Sequence, residues 1–215
     1  MNGLLFEGND ALQICFQGTT PLILKVLLED EILRAKQLNA EFDEKLLLSD
    51  TNTDCFTFHN ITLFRLLEAN RKVFMLMPLF PTTLEHLSQL DEAGTVKLWQ
   101  QISVALDTLH NKQMAHMDVK PANICITSRG DFVLTDLGSV AKFGEHTDST
   151  RVYLPSDIST HCAASALIDW LMFAMTICEK TQLLKIGVRP TTDELKTMLS
   201  NRQGIFPAIC IKLEN

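Results

Sequence analysis

The chain has 215 residues, 46% of them hydrophobic and 21% charged, and a net charge of −7. That is enough apolar chain for one large domain or two tightly joined lobes, and too apolar for intrinsic disorder. The negative balance, with no basic stripe, excludes a nucleic-acid or anionic-membrane partner held by bulk electrostatics.

Six cysteines (Cys15, Cys55, Cys125, Cys162, Cys178, Cys210) are scattered without a CxxC or any paired ligand spacing. They read as small apolar core residues in a reducing compartment, not as a zinc site. The first ten residues lack the basic region and apolar core of a secretion signal, and the apolar stretch 162–178 is marginal for a bilayer and contains Asp169. A soluble, intracellular, cytoplasmic protein is expected.

Residues 4–7, 12–17 and 22–28 are apolar runs separated by Gly8-Asn9-Asp10 and Gly18-Thr19-Thr20-Pro21, a pattern that predicts three antiparallel strands. From 29 to 48, Ile32, Ala35, Leu38, Phe42 and Leu46 recur at helical spacing. Residues 61–69 and 73–77, joined at Asn70-Arg71, predict a hairpin. After Pro78 the pattern turns helical, at 83–90 and again at 92–110, where Val96, Trp99, Ile102, Val104, Leu106 and Leu109 cluster on an apolar face. A short hairpin is expected at 124–127 and 132–135, around Ser128-Arg129-Gly130. Helices at 164–181 and 192–201 follow. A β-rich part before a mostly helical part predicts an α+β arrangement of two lobes.

The most informative segment is His116-Met117-Asp118-Val119-Lys120-Pro121-Ala122-Asn123, followed after the hairpin by Asp136-Leu137-Gly138. It resembles the HxDxKxxN catalytic loop and the DFG motif of protein kinases. At residue frequencies near ~5%, four fixed positions match by chance in roughly one window per hundred thousand. The resemblance implies a two-lobed kinase-like fold: a β-rich N-lobe over 1–77, a hinge at 77–80 and a mostly helical, truncated C-lobe over 81–215. It also implies an ATP- and Mg²⁺-dependent transfer of a phosphoryl group to a protein hydroxyl, with Lys120 pointing to serine or threonine.

Phosphoryl transfer needs a positioned hydroxyl, neutralised phosphate charge and metal ions in register. By the resemblance, Asp118 orients and deprotonates the acceptor, and Lys120 reaches the transferring phosphate. Asn123 and Asp136 are hard oxygen ligands suited to Mg²⁺. His116 takes a packing role. Met117 stands where many kinases carry an arginine that pairs with a phosphorylated segment, so Thr147, Ser149 and Thr150 read as ordinary loop residues.

Lys25, within Leu22-Ile23-Leu24-Lys25, resembles the lysine that binds α- and β-phosphates; its apolar flanks favour that role over a solvated strand lysine. Glu44 best resembles its glutamate partner, at a separation of 19 residues (44 − 25), with Glu41 and Glu31 left open. The glycine-rich loop is reduced to Gly8, with Asp10 adding negative charge, and Ile23 stands where the family has a small alanine over the adenine ring. Met77 and Leu79 are the expected hinge contacts, with Leu76 as gatekeeper; Pro78 has no N–H to offer.

Farther on, Tyr153-Leu154-Pro155-Ser156-Asp157 stands where kinases have YxAPE, with Asp157 replacing glutamate and able to pair with Arg189. Asp169-Trp170 resembles the start of the central buried helix, and Arg189-Pro190-Thr191 the late RP motif. Only 20 residues separate Asp169 from Arg189, so the docking-helix region looks deleted, exposing surface that a protein partner would cover. This compact form resembles what viruses or parasites make of host kinase folds, which would put it in host cytoplasm or nucleus. The reduced glycine loop leaves a second expectation, a pseudokinase that binds a kinase or its substrate without catalysis.

Overall fold

A computed structural model describes residues 12–17, 20–42 and 57–214; the expected strand at 4–7, Gly8 and Glu44 lie outside them. Strands β1 (Leu12–Gln17) and β2 (Thr20–Val26) lead into helix α1 (Glu29–Glu41). Short strands β3 (Thr57–Phe58) and β4 (Ile61–Thr62) precede the hairpin β5 (Arg65–Ala69) and β6 (Lys72–Pro78). Its turn residues Asn70 and Arg71 both have positive φ, 51° and 62°, the backbone that matches strand twist in a two-residue hairpin. Then come β7 (Thr82–Thr83), helix α2 (Glu92–His110), β8 (Met114–Ala115), β9 (Ile124–Ile126) and β10 (Phe132–Leu134). Strands β11 (Ala141–Lys142), β12 (His146–Asp148) and β13 (His161–Ala163) are followed by helices α3 (Ala166–Lys180), α4 (Thr192–Ser200) and α5 (Phe206–Glu214).

The first sheet has the order β1-β2-β6-β5, all antiparallel neighbours. Ile61 and Thr62 do not extend β5, as their apolar run predicts, but pair in a second sheet, β3-β4-β10-β9-β7. Leu63 and Phe64 are buried between the two sheets' strands. A β-rich N-terminal part thus precedes a helical C-terminal part, the α+β class expected.

Helix α3 anchors the helical part. Residues 168–178 are all buried, the mark of a helix apolar all round, and Trp170 and Phe173 pack with Trp99 of α2 at ring separations of 5.8 Å. No helix of the described residues is long and apolar enough to cross a membrane. The predicted helix at 83–90 is only a 3₁₀ turn, Leu84–His86. The Glu85 and Leu87 carbonyls instead accept from the buried Lys180 ammonium, at 3.3 and 3.0 Å. Helix α5 has no counterpart among the predicted elements; it is short and apolar, and it exists because Ile209 and Leu213 pack into the core beside α3.

Two further ties position the site. Gln101 of α2 bonds both Asp131 (3.0 Å) and the Phe132 N–H (2.8 Å), fixing the β9–β10 hairpin on that helix. Arg189 donates to the carbonyls of Leu154 and Pro155, at 2.8 and 2.9 Å, rather than pairing with Asp157. Asp157 instead accepts from the N–H and hydroxyl of Thr192, because the start of α4 offers unpaired N–H groups there.

Candidate active site

The loop from His116 to Asn123 hangs from one buried carboxylate. Asp169, at 0% exposure in the first turn of α3, accepts the backbone N–H groups of His116 (2.7 Å) and Met117 (2.8 Å) and the His110 Nε2–H (2.8 Å). Met117 takes a left-handed backbone, φ 66°, which brings successive N–H groups to the same carboxylate, and its side chain is wholly buried. His116 is also wholly buried. Its Nε2–H donates to the Thr135 carbonyl at 2.9 Å and its Nδ1 accepts the Asp118 N–H at 3.3 Å.

Asp118 sits among donors. The Asn123 amide donates to its carbonyl and to Oδ2, at 2.9 and 3.0 Å, and Lys120 Nζ lies 2.7 Å from Oδ2. The Thr150 hydroxyl donates to Oδ1 while accepting from Lys120 Nζ at 2.9 Å. Burial pushes the Asp118 carboxyl up, but the hydrogen bonds from Lys120 and Thr150 and the Lys120 charge outweigh it and hold it below the usual value of 3.8. Thr150 is therefore not an ordinary loop residue. Nothing local in the sequence marks it, since its partners lie 30 and 32 positions away.

Lys25 of β2 binds two carboxylates, Glu31 Oε1 at 2.8 Å and Asp136 Oδ1 at 2.9 Å. Burial lowers its pKa, yet these two partners together raise it above 10.5, so it stays an ammonium. Among the described residues the glutamate beside Lys25 is Glu31, one of the alternatives left open; Glu44 lies outside them. Only Leu27 and Leu28 separate β2 from α1, so it is the first turn of the helix that lies against the strand. The other Glu31 oxygen caps α1 by accepting the Leu28 N–H at 2.9 Å. Glu41 pairs elsewhere, with Lys142 at 3.0 Å. Asp136 has a left-handed backbone, φ 57°. Two residues on, a Cβ on Gly138 would stand 2.8 Å from Glu31 Oε1, so the Glu31 side chain would have to shift to admit one.

These groups open on a cavity of about 560 Å³ lined by Ile23, Lys25, Met77, Pro78, Leu79, Asn123, Cys125, Thr135 and Asp136, among others. Pairing register corrects the gatekeeper. Leu76 is opposite Leu24, while Met75 is opposite Lys25 and Met77 opposite Ile23. Since side chains alternate across a sheet, Met75 shares the face of Lys25 and Leu76 points to the other side. The apolar walls and the polar end formed by Lys25, Asn123 and Asp136 fit a nucleotide triphosphate. Among the described residues no cluster of three His, Cys, Asp or Glu side chains could hold a cation alone. One carboxylate and one amide oxygen suit Mg²⁺ that arrives with phosphates, for this ion needs few protein ligands.

A strand-hung lysine thus faces two carboxylates, and a neighbouring loop carries aspartate, lysine and asparagine. The protein kinase domain family matches residues 20–203, and the chain belongs to that family. It is 27% identical over 164 residues to the mouse cAMP-dependent protein kinase catalytic subunit PRKX, covering 73% of this chain and 45% of that protein. It is 32% identical over 109 residues to the Saccharomyces cerevisiae serine/threonine-protein kinase YPK3, covering 48% of this chain and 20% of that one. The structure of the Cydia pomonella granulovirus kinase PK-1 superposes with a TM-score of 0.66 at 16% identity, covering 93% of this chain and 79% of that chain. The chain spans about half the length of the curated relatives it matches.

Proposed function

We propose that this chain is a Mg·ATP-dependent protein kinase that transfers the γ-phosphoryl group to a serine or threonine of a protein substrate, working as one two-lobed unit hinged at 77–80. The observation that carries this is the convergence of Lys25, Asp136 and Asn123 on one end of the cleft, with Glu31 paired to Lys25 and Asp118 and Lys120 bonded beside Asn123. No shared structural need explains that set. Asp118, ionised and aimed by Asn123 and Thr150, would accept the acceptor hydroxyl's proton; Lys120 would neutralise charge on the moving phosphoryl group. Lys25, held by Glu31, would bind the nucleotide's phosphates. Asp136 and Asn123 would hold Mg²⁺, which when bound neutralises phosphate charge. Met77 and Leu79 would meet the base at the hinge, and Gly8 would belong to the lid. ATP and free thiols at Cys125, Cys162, Cys178 and Cys210 both fit an intracellular setting.

A second reading, a pseudokinase that serves as a binding module, is favoured by one observation: Ile23, larger than the family's alanine, lines the cleft. Thermal unfolding separates the two. Mg·ATP at a hundredfold its dissociation constant should stabilise the protein by about 2.7 kcal/mol, roughly 5–10 °C for a chain of this size. No shift at millimolar Mg·ATP would favour the binding module.

A further inference from the structure

Helix α1 meets the segment 136–142 through side chains that phosphoryl transfer itself does not use. Arg34, one turn after Glu31, donates from Nη1 to the Gly138 carbonyl at 2.8 Å. Two turns farther along the same face, Glu41 pairs with Lys142 Nζ at 3.0 Å. The Glu31 carboxylate also lies against the segment: a Cβ on Gly138 would stand 2.8 Å from its Oε1. Within the gripped segment Asp136 holds φ 57° and ψ 65°, a conformation that a non-glycine residue keeps only when its surroundings over-determine it.

We propose that Arg34, seconded by the Glu41–Lys142 pair, is a positioning residue: it clamps segment 136–142 to α1, so that the seating of the helix and the aim of the Asp136 carboxylate are one variable. The clamp rests on the reading of Asp136 as the metal-holding carboxylate. Arg34 carries the larger share. Its guanidinium is 29% exposed, whereas Lys142 and Glu41 are 44% and 38% exposed, and exposed ion pairs contribute little individually. The carbonyl it binds, by contrast, belongs to the turn that sets Asp136. All these groups are unmodified side chains. With Met117 buried where an arginine would await a phosphate, the segment is tied down without phosphorylation.

The test compares wild type, Arg34→Gln, Arg34→Lys, the single charge reversals Glu41→Lys and Lys142→Glu, and the two reversals together. Hydrogen–deuterium exchange on the nucleotide-free protein reads the clamp directly. The amides of Val140 and Phe143 are bonded to Leu137 and Gln113. In Arg34→Gln, residues 137–143 should exchange about tenfold faster while α3 is unchanged, as local opening requires. Arg34→Lys should keep most of the protection, and the double reversal should restore what either single reversal loses. In nucleotide binding, Arg34→Gln should raise the Mg²⁺ concentration for half-saturation severalfold and leave Mg²⁺-free affinity alone. Unchanged exchange at 137–143, or an equal rise across α3, would overturn the clamp. If wild type neither binds nor turns over Mg·ATP, the kinase reading fails, and the exchange comparison still decides the clamp.

Discussion

A general base is of use only if it is ionised and aimed; Asp118, proposed for that role, is held so by Lys120 and Asn123 close by in sequence and by Thr150, 32 positions away. Its depressed pKa has a sign that can be worked through. The folded carboxyl titrates below its unfolded value of 3.8, so the stability it draws from Lys120 and Thr150 is fully present above about pH 4 and is lost as pH falls through the folded value. The stability difference between wild type and Asp118→Asn, measured by denaturant unfolding, should be flat from about pH 8 to 5 and shrink below about pH 4. Thr150→Val removes the hydroxyl that bridges Asp118 and Lys120. Steady-state kinetics should show kcat reduced on the order of tenfold to a hundredfold, with nucleotide affinity kept, and Thr150→Ser should restore most of it. At this scale, legibility divided by distance. Asp118, Lys120, Asn123 and Asp136 lie within 19 residues (136 − 118 + 1), so residue type and spacing were enough to propose them, and the fold brings them near one another. Thr150 reaches the site only through the fold, and no spacing announces it.

Among the elements, α3 does the most to hold the site, through a single side chain at its first turn. Asp169 serves three donors with no exposure to water. Asp169→Asn turns an amide toward N–H groups and strands at least one of them. The cost should be about 3 kcal/mol, a fall in melting temperature of roughly 6–12 °C that calorimetry would read. Helix periodicity made α2 legible to the residue, from 92 to 110. The failures are equally physical. A helix pattern at 83–90 lost its carbonyls to Lys180, and the short α5 depends on packing that no local propensity records. Counting residues from Lys25 pointed to Glu44, which lies outside the described residues, and left Glu31 as an alternative, because a two-residue link between β2 and α1 cannot be read from composition. The link brings Glu31 to Lys25.

In the whole molecule, two groups of elements supply complementary halves of one site. The β-rich part contributes Lys25 and, on α1, Glu31; the helical part and its hairpins contribute Asp118, Lys120, Asn123 and Asp136. The bond from Lys25 to Asp136 spans 111 positions, and Arg34 to Gly138 spans 104, so the site exists only when both parts are seated together. This makes transfer of a labelled γ-phosphate from ATP, with Mg²⁺, to a serine- and threonine-containing protein mixture the most direct measurement. Wild type should transfer label. Asp118→Asn should lose on the order of a hundredfold or more in rate while still binding nucleotide, and Asp136→Asn should lose both transfer and the Mg²⁺-dependent part of binding. Transfer that persists undiminished in both variants would contradict the account.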